Sequence, residues 1–504
     1  MLTACGLGLA ALGLPRAAAW AAGVVALMAT WWITEPLPLW ATALLPLPLF
    51  PLLGGGKPDE LLHQLLLQYF DPVNFLFLGG MWLAAAMEQS GLHERLALGM
   101  VARIGYSPRR IVLGFMVATG FVTLWISNTA AALMMFPIAM AVLRRFEAQR
   151  GRDDPQLRRF GLALMLGLAY AASIGGIGTK IGTGTNMVFV RQAERSLGLE
   201  VSFVQWIALG LPVVLVALPL VWLYLVRVAT GLSAEDFPGA RETITAARGR
   251  LGVMKTGELV ALVMFLLAAG LWIFRQDIEL GAVTVPGWAR LMPEAWRSGD
   301  FAMNFPPPLA GLLEPRAGES LVAIVLGAAL LLIPVARRPL RMALSLRQAA
   351  GVQWGMLILL GGGFAMARGV EASGLSAVIG DALAGVPRLP PLLVTLGVAL
   401  VAVALTEFAS NTATASILLP LLAPAAPALG VPAPTLMLAA TMAASFGFML
   451  PAGTPPNAVV YASGYIPVTR MARCGLVVDV AGALLVGTLC HLLVPRILVT
   501  AGAP

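Results

Sequence analysis

Ser127-Asn128-Thr129 recurs as Ser410-Asn411-Thr412, and both triplets lie inside apolar sequence. Their side chains supply neutral hydroxyl and amide groups. Carbonyl and hydroxyl oxygens left free where a helix ends suit a small cation. The free N–H groups where the next helix begins suit a carboxylate, and Ser, Asn and Thr are the residues that cap such a start. In hydrocarbon these groups are costly unless they bind a ligand or each other. One such triplet reads as a hydrogen bond between neighbouring helices. Two at a fixed spacing read as one site built from two related halves. Each triplet is followed by a second interruption, Gly182-Thr183-Gly184-Thr185-Asn186 and Gly453-Thr454-Pro455-Pro456-Asn457. There Gly or Pro breaks a helix and Asn caps the next. Thr123 and Thr406 each stand four residues before their Ser, on the same helix face. Two roles stay open for them, joining a cation site or bonding to their own helix.

The elements that must position these residues form a duplication. Phe77-Leu78-Gly79-Gly80 and Ser90-Gly91-Leu92 correspond to Leu360-Gly361-Gly362-Gly363 and Ser373-Gly374-Leu375. The offset is constant, and it is the one that carries Ser127 to Ser410 and Pro137 to Pro420. Asn186 and Asn457 stand closer together than that, so the second copy has a shorter intervening loop. Charge marks the copies as inverted. The flanks of the first triplet carry Arg103, Arg109, Arg110, Arg144, Arg145, Arg150, Arg152, Arg158 and Arg159, whereas those of the second carry Arg388 alone. Basic residues stay cytoplasmic, so the first triplet is approached from inside and the second from outside. Inverted repeats put the substrate site near the bilayer midplane between the copies. About 17 residues separate Arg110 from Ser127, short for a span of about 20. The spacing favours a re-entrant hairpin over two spanning helices joined by a polar turn.

Composition fixes the class. The chain of 504 residues is 59% hydrophobic and 12% charged, with mean hydropathy +0.86. That is about half the usual charged fraction and indicates a polytopic α-helical membrane protein; the alternating segments of a β-barrel are missing. The net charge of +8 comes mainly from Arg at segment ends, which reads as topology and not as nucleic-acid binding. Cys5, Cys474 and Cys490 show no disulfide framework, and His63, His93 and His491 no metal-ligand spacing. The apolar run from Met1 to Pro15 has no basic residue before it, which argues against a cleaved signal peptide and for a short first membrane helix. The polar stretches 229–255 and 276–317 read as the main loops.

With these residues in view, the chain resembles the divalent anion:sodium symporter family of sodium–dicarboxylate, citrate and sulfate transporters. The resemblance rests on Trp32-Ile-Thr-Glu-Pro-Leu-Pro-Leu39 with Thr42-Ala-Leu-Leu-Pro46, on Thr406-Glu-Phe-Ala-Ser-Asn-Thr-Ala-Thr414 and on Ser445-Phe-Gly-Phe-Met-Leu-Pro-Ala-Gly-Thr-Pro-Pro-Asn-Ala458. It implies an all-α fold of about 11 transmembrane helices plus two re-entrant hairpins. It also implies a homodimer in the cell (inner) membrane, with a fixed scaffold and an elevator-type transport part. Residues 1–104 would be scaffold helices of the first repeat, and 105–228 the first half of the transport part, with a hairpin at 110–143. Residues 229–386 would be a loop and scaffold helices of the second repeat, and 387–504 the second transport half, with a hairpin at 391–427. One implied sodium site is Thr123, Ser127, Asn128 and the Gly182 carbonyl. The other is Thr406, Ala409, Asn411 and the Gly453 carbonyl. Implied substrate contacts are Asn128, Thr129, Thr183, Ser410, Asn411, Thr412 and Thr454.

The first break departs from the second in two ways. It lacks both prolines, which makes it softer, and it carries Lys180 two places before Gly182. A Lys at the midplane costs about 3 kcal/mol unless paired or hydrated. Lys180 either snorkels to the boundary or stands near the first cation site, where it assists the anion or replaces a sodium. Glu407 is the other intramembrane charge. It pairs with a base, balances sodium or takes a proton. Glu88 and Glu371 read as boundary residues. The expected function is sodium-coupled symport of a small dianion, most simply a C4-dicarboxylate such as succinate, fumarate or malate. A sodium-independent exchanger, a proton-coupled carrier, or a sulfate or citrate transporter on the same fold are the alternatives. An enzyme would need a His, Cys or carboxylate constellation, and none is visible.

Overall fold

The computed structural model describes residues 2–11, 13–53, 57–151, 153–233, 240–280, 283–291, 318–383 and 389–499. Arg152, Arg388 and residues 292–317 of the second polar stretch lie outside them. Nine helices among the described residues are long and apolar enough to cross a bilayer, and four shorter apolar ones accompany them: Leu39–Leu53, Gly318–Leu330, Pro391–Thr406 and Ala433–Ala443. The apolar N-terminal run forms the helix Leu2–Ala11, which packs on Arg16–Thr34. The first polar stretch contains the helix Ala240–Arg250, and the second begins with a two-stranded hairpin, Ile278–Leu280 with Val283–Val285.

Each triplet lies at a helix–turn–helix. The first joins Pro108–Thr123 to Asn128–Arg150, and the second joins Pro391–Thr406 to Asn411–Leu429. Both leading arms have 16 residues. At 1.5 Å per residue they are about 24 Å long, less than the roughly 30 Å hydrocarbon layer. Each turn ends in the same cap. Ser127 Oγ accepts the Ala130 N–H at 3.3 Å, and Ser410 Oγ accepts the Ala413 N–H at 3.2 Å.

The ends of each hairpin lie together. Arg109 Nε donates to Leu232 O at 2.7 Å, Arg159 Nη1 to Gly231 O at 3.4 Å, and Arg150 pairs with Asp154 at 3.6 Å. The start of the first hairpin and the start of the next helix therefore gather round residues 231–233. In the second hairpin Val394, Ala426, Val431 and Leu436 form one buried cluster, which ties its two ends.

The second interruptions are true helix breaks. Pro155–Gly176 stops and Gly184–Leu197 begins after an unwound stretch. Ala433–Ala443 stops and Pro455–Tyr461 begins after a longer one. The pieces cross over between halves. Gly184–Leu197 packs on Asn411–Leu429 and Ala433–Ala443, while Pro455–Tyr461 packs on Asn128–Arg150 and Pro155–Gly176. The first piece of each broken helix packs on the hairpin of its own half, and the second piece on the opposite half. Pro72–Ser90, Gly318–Leu330 and Trp354–Ala372 flank this core.

Candidate functional site

The two breaks are held by the same device. Asn186 Nδ2 donates to Gly176 O at 2.8 Å and Thr179 O at 2.7 Å. Asn457 Nδ2 donates to Gly447 O at 2.9 Å and Leu450 O at 3.0 Å. In both cases the acceptors stand ten and seven residues before the Asn. The side chain thus fastens the starting half-helix to carbonyls that the ending half-helix leaves free.

At the first half, two pairs of oxygens crowd two glycines of the break. A Cβ added to Gly182 would stand 2.8 Å from Thr123 O and closer still to Gly176 O. One added to Gly176 would collide with Asn128 Oδ1 and stand 3.3 Å from Gly182 O. Only glycine permits this approach of tip and break. Asn128 is 8% exposed, and its Oδ1 is buried without a hydrogen-bond donor. A buried acceptor without a donor is costly, and one beside three backbone carbonyls fits the oxygen shell of a hard cation. Thr123 Oγ1 donates to Gly120 O of its own helix at 3.0 Å, so here the hydroxyl is turned back to its helix.

The second half is similar and not identical. Thr406 Oγ1 lies 2.9 Å from Asn411 Oδ1 and 2.8 Å from Ala444 O, so this hydroxyl bridges tip and break. A Cβ on Gly453 would be 3.4 Å from Gly447 O and 3.3 Å from Glu407 Oε2. Ala409 is buried directly before Ser410. The Glu407 carboxylate accepts the Met449 and Leu450 N–H groups at 2.9 and 3.1 Å.

The halves meet. A Cβ on Gly184, at the first break, would be 3.2 Å from Thr412 Oγ1 of the second tip and 3.3 Å from Met356 Sδ. Thr183 and Thr454 occupy the two N-cap positions in extended backbone, and neither hydroxyl is used as a cap. Thr454 Oγ1 is buried without a partner. Thr129, Ser410 and Asn411 are partly exposed on the tips. Hydroxyls, amides and half-helix N-termini thus surround the place where the two halves touch.

Lys180 is engaged elsewhere. It is 4% exposed, and its Nζ donates to Glu319 Oε2 at 2.7 Å. Arg275 Nη1 lies 3.5 Å from the other Glu319 oxygen. Two further bases on the same broken helix reach flanking helices. Arg191 pairs with Asp71 at 2.6 Å and Arg195 with Glu371 at 3.1 Å. Glu371, read from sequence as a boundary residue, lies in the last turn of Trp354–Ala372 and there pairs with Arg195. A cavity of about 1010 Å³ runs from the first tip, at Trp125, Ser127 and Ile181, past Glu88 and Gln89 to Arg341 and Arg347.

Sequence reasoning did not find Asp479, which is 1% exposed within Val468–Val494 and accepts the Phe448 N–H at 3.2 Å. Its signal was there, an acid in the middle of a long apolar helix. The roles of Gly176 O and Gly447 O were also missed, because they depend on Asn side chains ten residues away.

Comparison with known proteins shows the family of the chain. The family described as the sodium:sulfate symporter transmembrane region matches residues 7–495. A sodium-dependent dicarboxylate transporter, SdcS, of Staphylococcus saprophyticus is 37% identical over 474 residues, covering 94% of this chain and 85% of that protein. SdcS of Staphylococcus aureus strain USA300 is 35% identical over the same share. Among solved structures, the YdaH transporter of Alcanivorax borkumensis has a TM-score of 0.53 at 16% identity, over 87% of this chain and 89% of that one. MtrF of Neisseria gonorrhoeae has a TM-score of 0.51 at 14% identity, over 86% and 84%. These two share the fold. The protein is a multi-pass membrane protein and belongs to the sodium:sulfate symporter family.

Proposed function

We propose that the protein is a secondary active transporter that carries a small dianion together with sodium, the dianion being a C4-dicarboxylate such as succinate, fumarate or malate. One observation carries this reading: two carbonyl-rich clusters, one in each half, flank the contact between Gly184 and Thr412. The Thr123, Gly176 and Gly182 carbonyls with Asn128 Oδ1 suit one sodium. Thr406, Asn411 and the Gly447 and Gly453 carbonyls suit another. The dianion lies between, on Asn128, Thr129, Thr183, Ser410, Asn411, Thr412 and Thr454. Sodium charges offset those of the dianion, which lowers the cost of holding it in a low-dielectric layer. The relatives named as sodium-dependent dicarboxylate transporters support the choice of substrate and cation.

A sodium-independent exchanger would need a fixed cation at one cluster. Lys180 was the candidate, and its ammonium is bonded to Glu319. The test is uptake of labelled succinate into proteoliposomes with sodium, potassium or choline outside. Uptake is expected with sodium alone, and Asn128→Ala or Asn411→Ala should reduce it tenfold or more. Equal uptake in all three salts refutes the reading, and competition by sulfate or citrate defines the dianion.

The motion is an elevator in this reading. Residues 105–228 and 387–504 move against a scaffold of 1–104 and 229–386, and the chain works as a homodimer. The cavity rimmed by Arg341 and Arg347 supports a state open to the cytoplasm, the side on which basic residues stay. Cysteine cross-links between Gly184–Leu197 and Pro72–Ser90 that stop uptake would support it. Full uptake under complete cross-linking would not.

A further inference from the structure

The two halves, aligned by their sequence offsets, differ at one further place, the clamp around each break. In the first half, Gly178 of the break sits between Leu124 and Val214. A Cβ there would collide with the Leu124 side chain and lie 3.3 Å from Val214 Cγ2. The offset that carries Asn186 to Asn457 carries Gly178 to Met449, and the offset of the triplets carries Leu124 to Glu407. The next helix obeys an offset of its own. A Cβ on Gly210 would meet Ile177 O and lie 3.3 Å from Gly178 Cα, and one on Gly475 would meet Phe448 and lie 2.5 Å from Met449 N. Gly210 therefore matches Gly475, and one turn further Val214 matches Asp479. The first break is clamped by an apolar pair, and the second by two carboxyl groups.

Their bonds differ accordingly. In the first break, the Ile177 and Gly178 N–H groups donate to Ile174 O and Gly175 O at 3.2 and 3.0 Å, continuing the helix. In the second, three successive N–H groups leave the helix. Phe448 N donates to Asp479 Oδ1, Met449 N to Glu407 Oε1 and Leu450 N to Glu407 Oε2. Glu407 is 5% exposed and Asp479 1%. No ion pair among the described residues gives either a base.

Buried carboxyl groups without a base are unfavourable until a cation stands beside them. Glu407 Oε2 and Gly447 O lie within 3.4 Å of a common point above Gly453, so the cation held by the second cluster is that neighbour. We propose that Asp479 is a positioning residue for the second sodium. It fixes the 448–450 turn from behind, and the turn in turn holds Glu407, whose carboxylate gives this cluster a negative charge that the first lacks. The two sodium sites are then unequal, the second being the tighter. This rests on the transport reading above.

The experiment is sodium activation of succinate uptake in proteoliposomes for wild type, Asp479→Asn, Asp479→Glu and Glu407→Gln, with succinate saturating. Asp479→Asn keeps an acceptor for Phe448 N and should fold, checked by its melting curve. The half-saturating sodium concentration is expected to rise tenfold or more in Asp479→Asn and Glu407→Gln. The succinate KM at saturating sodium should stay within twofold, and Asp479→Glu should restore most of the sodium affinity. A lower maximal rate with unchanged sodium half-saturation would assign Asp479 to packing and overturn the proposal. Glu407→Gln decides the same question if Asp479→Asn does not fold. Wild-type uptake indifferent to sodium would sink the transport reading itself, a result separable from an indifferent Asp479→Asn in a sodium-dependent wild type.

Discussion

Gly182→Ala is the sharpest test of the first oxygen cluster. The added methyl would stand 2.8 Å from Thr123 O and nearer to Gly176 O, whereas real Cβ atoms keep at least 3.0 Å. Both obstacles are backbone, so neither can rotate away, and both are proposed sodium ligands. Overpacking of this kind costs roughly 1–3 kcal/mol. At about 1.4 kcal/mol per tenfold, a cost falling wholly on the bound state weakens sodium by about 5- to 150-fold. Gly453→Ala is the internal control. Its methyl would meet Glu407 Oε2 and Leu450 O at 3.3 Å and Gly447 O at 3.4 Å, contacts that relax with shifts of a few tenths of an ångström. Its sodium half-saturation should change less than about threefold by the same conversion. The assay is the initial rate of succinate uptake against sodium concentration at saturating succinate. Equal effects of the two alanines, or wild-type sodium dependence in Gly182→Ala, would show that the approach of Thr123, Gly176 and Gly182 does not form a site.

Two further outcomes follow from charges outside the oxygen clusters. Asp154 caps Pro155–Gly176, accepting the Gln156 and Leu157 N–H groups at 2.7 and 3.0 Å. The Leu157 bond foremost, with Gln156 and Arg150, holds its carboxyl below the usual value of 3.8 against some desolvation. Asp154→Ala should cost about 1 kcal/mol at pH 7. A depressed folded pKa gives stability that is full above the unfolded value and lost as pH falls through the folded one. The melting difference should therefore shrink below pH 3.8, and an equal difference at pH 7 and at that acidity would contradict the capping role. At the buried pair, Glu319→Gln strands the Lys180 ammonium, whereas Lys180→Met leaves Glu319 facing Arg275 at 3.5 Å. Loss of one partner costs up to about 3–5 kcal/mol, so Glu319→Gln should melt lower than Lys180→Met. Sodium half-saturation should not move in either, and a shift in Lys180→Met would return Lys180 to the cation site.

Much of the core was legible because duplication writes itself into spacing. The constant offset between Ser127 and Ser410 located both tips, and the Gly-Thr-x-x-Asn pattern located both breaks. The short run from Arg110 to Ser127 matches the 16-residue leading arm Pro108–Thr123 of the first helix–turn–helix. What spacing could not supply was contact across long sequence separation. Lys180 meets Glu319, 139 residues away, and its two sequence readings, the boundary and the cation site, both lacked that partner. Asp479 escaped notice because the last helix follows a third offset, so neither the spacing of the tips nor that of the breaks sets it against Val214. Thr123 and Thr406 look equivalent in sequence. One turns to its own helix and the other bridges to Asn411, a difference set by packing at Gly175 and Gly447.

The ion pairs of the first broken helix bear on how the molecule must move. Lys180, Arg191 and Arg195 each grip a different flanking element, through Glu319, Asp71 and Glu371. In the elevator reading proposed above, all three bases ride on the moving part and all three acids on its scaffold. If that part moves as a rigid unit, a displacement long enough to release one pair is expected to release the other two with it. Travel is then a jump between docked positions, and a fluorescence record from single molecules should show long dwells with abrupt transitions in place of a continuous drift.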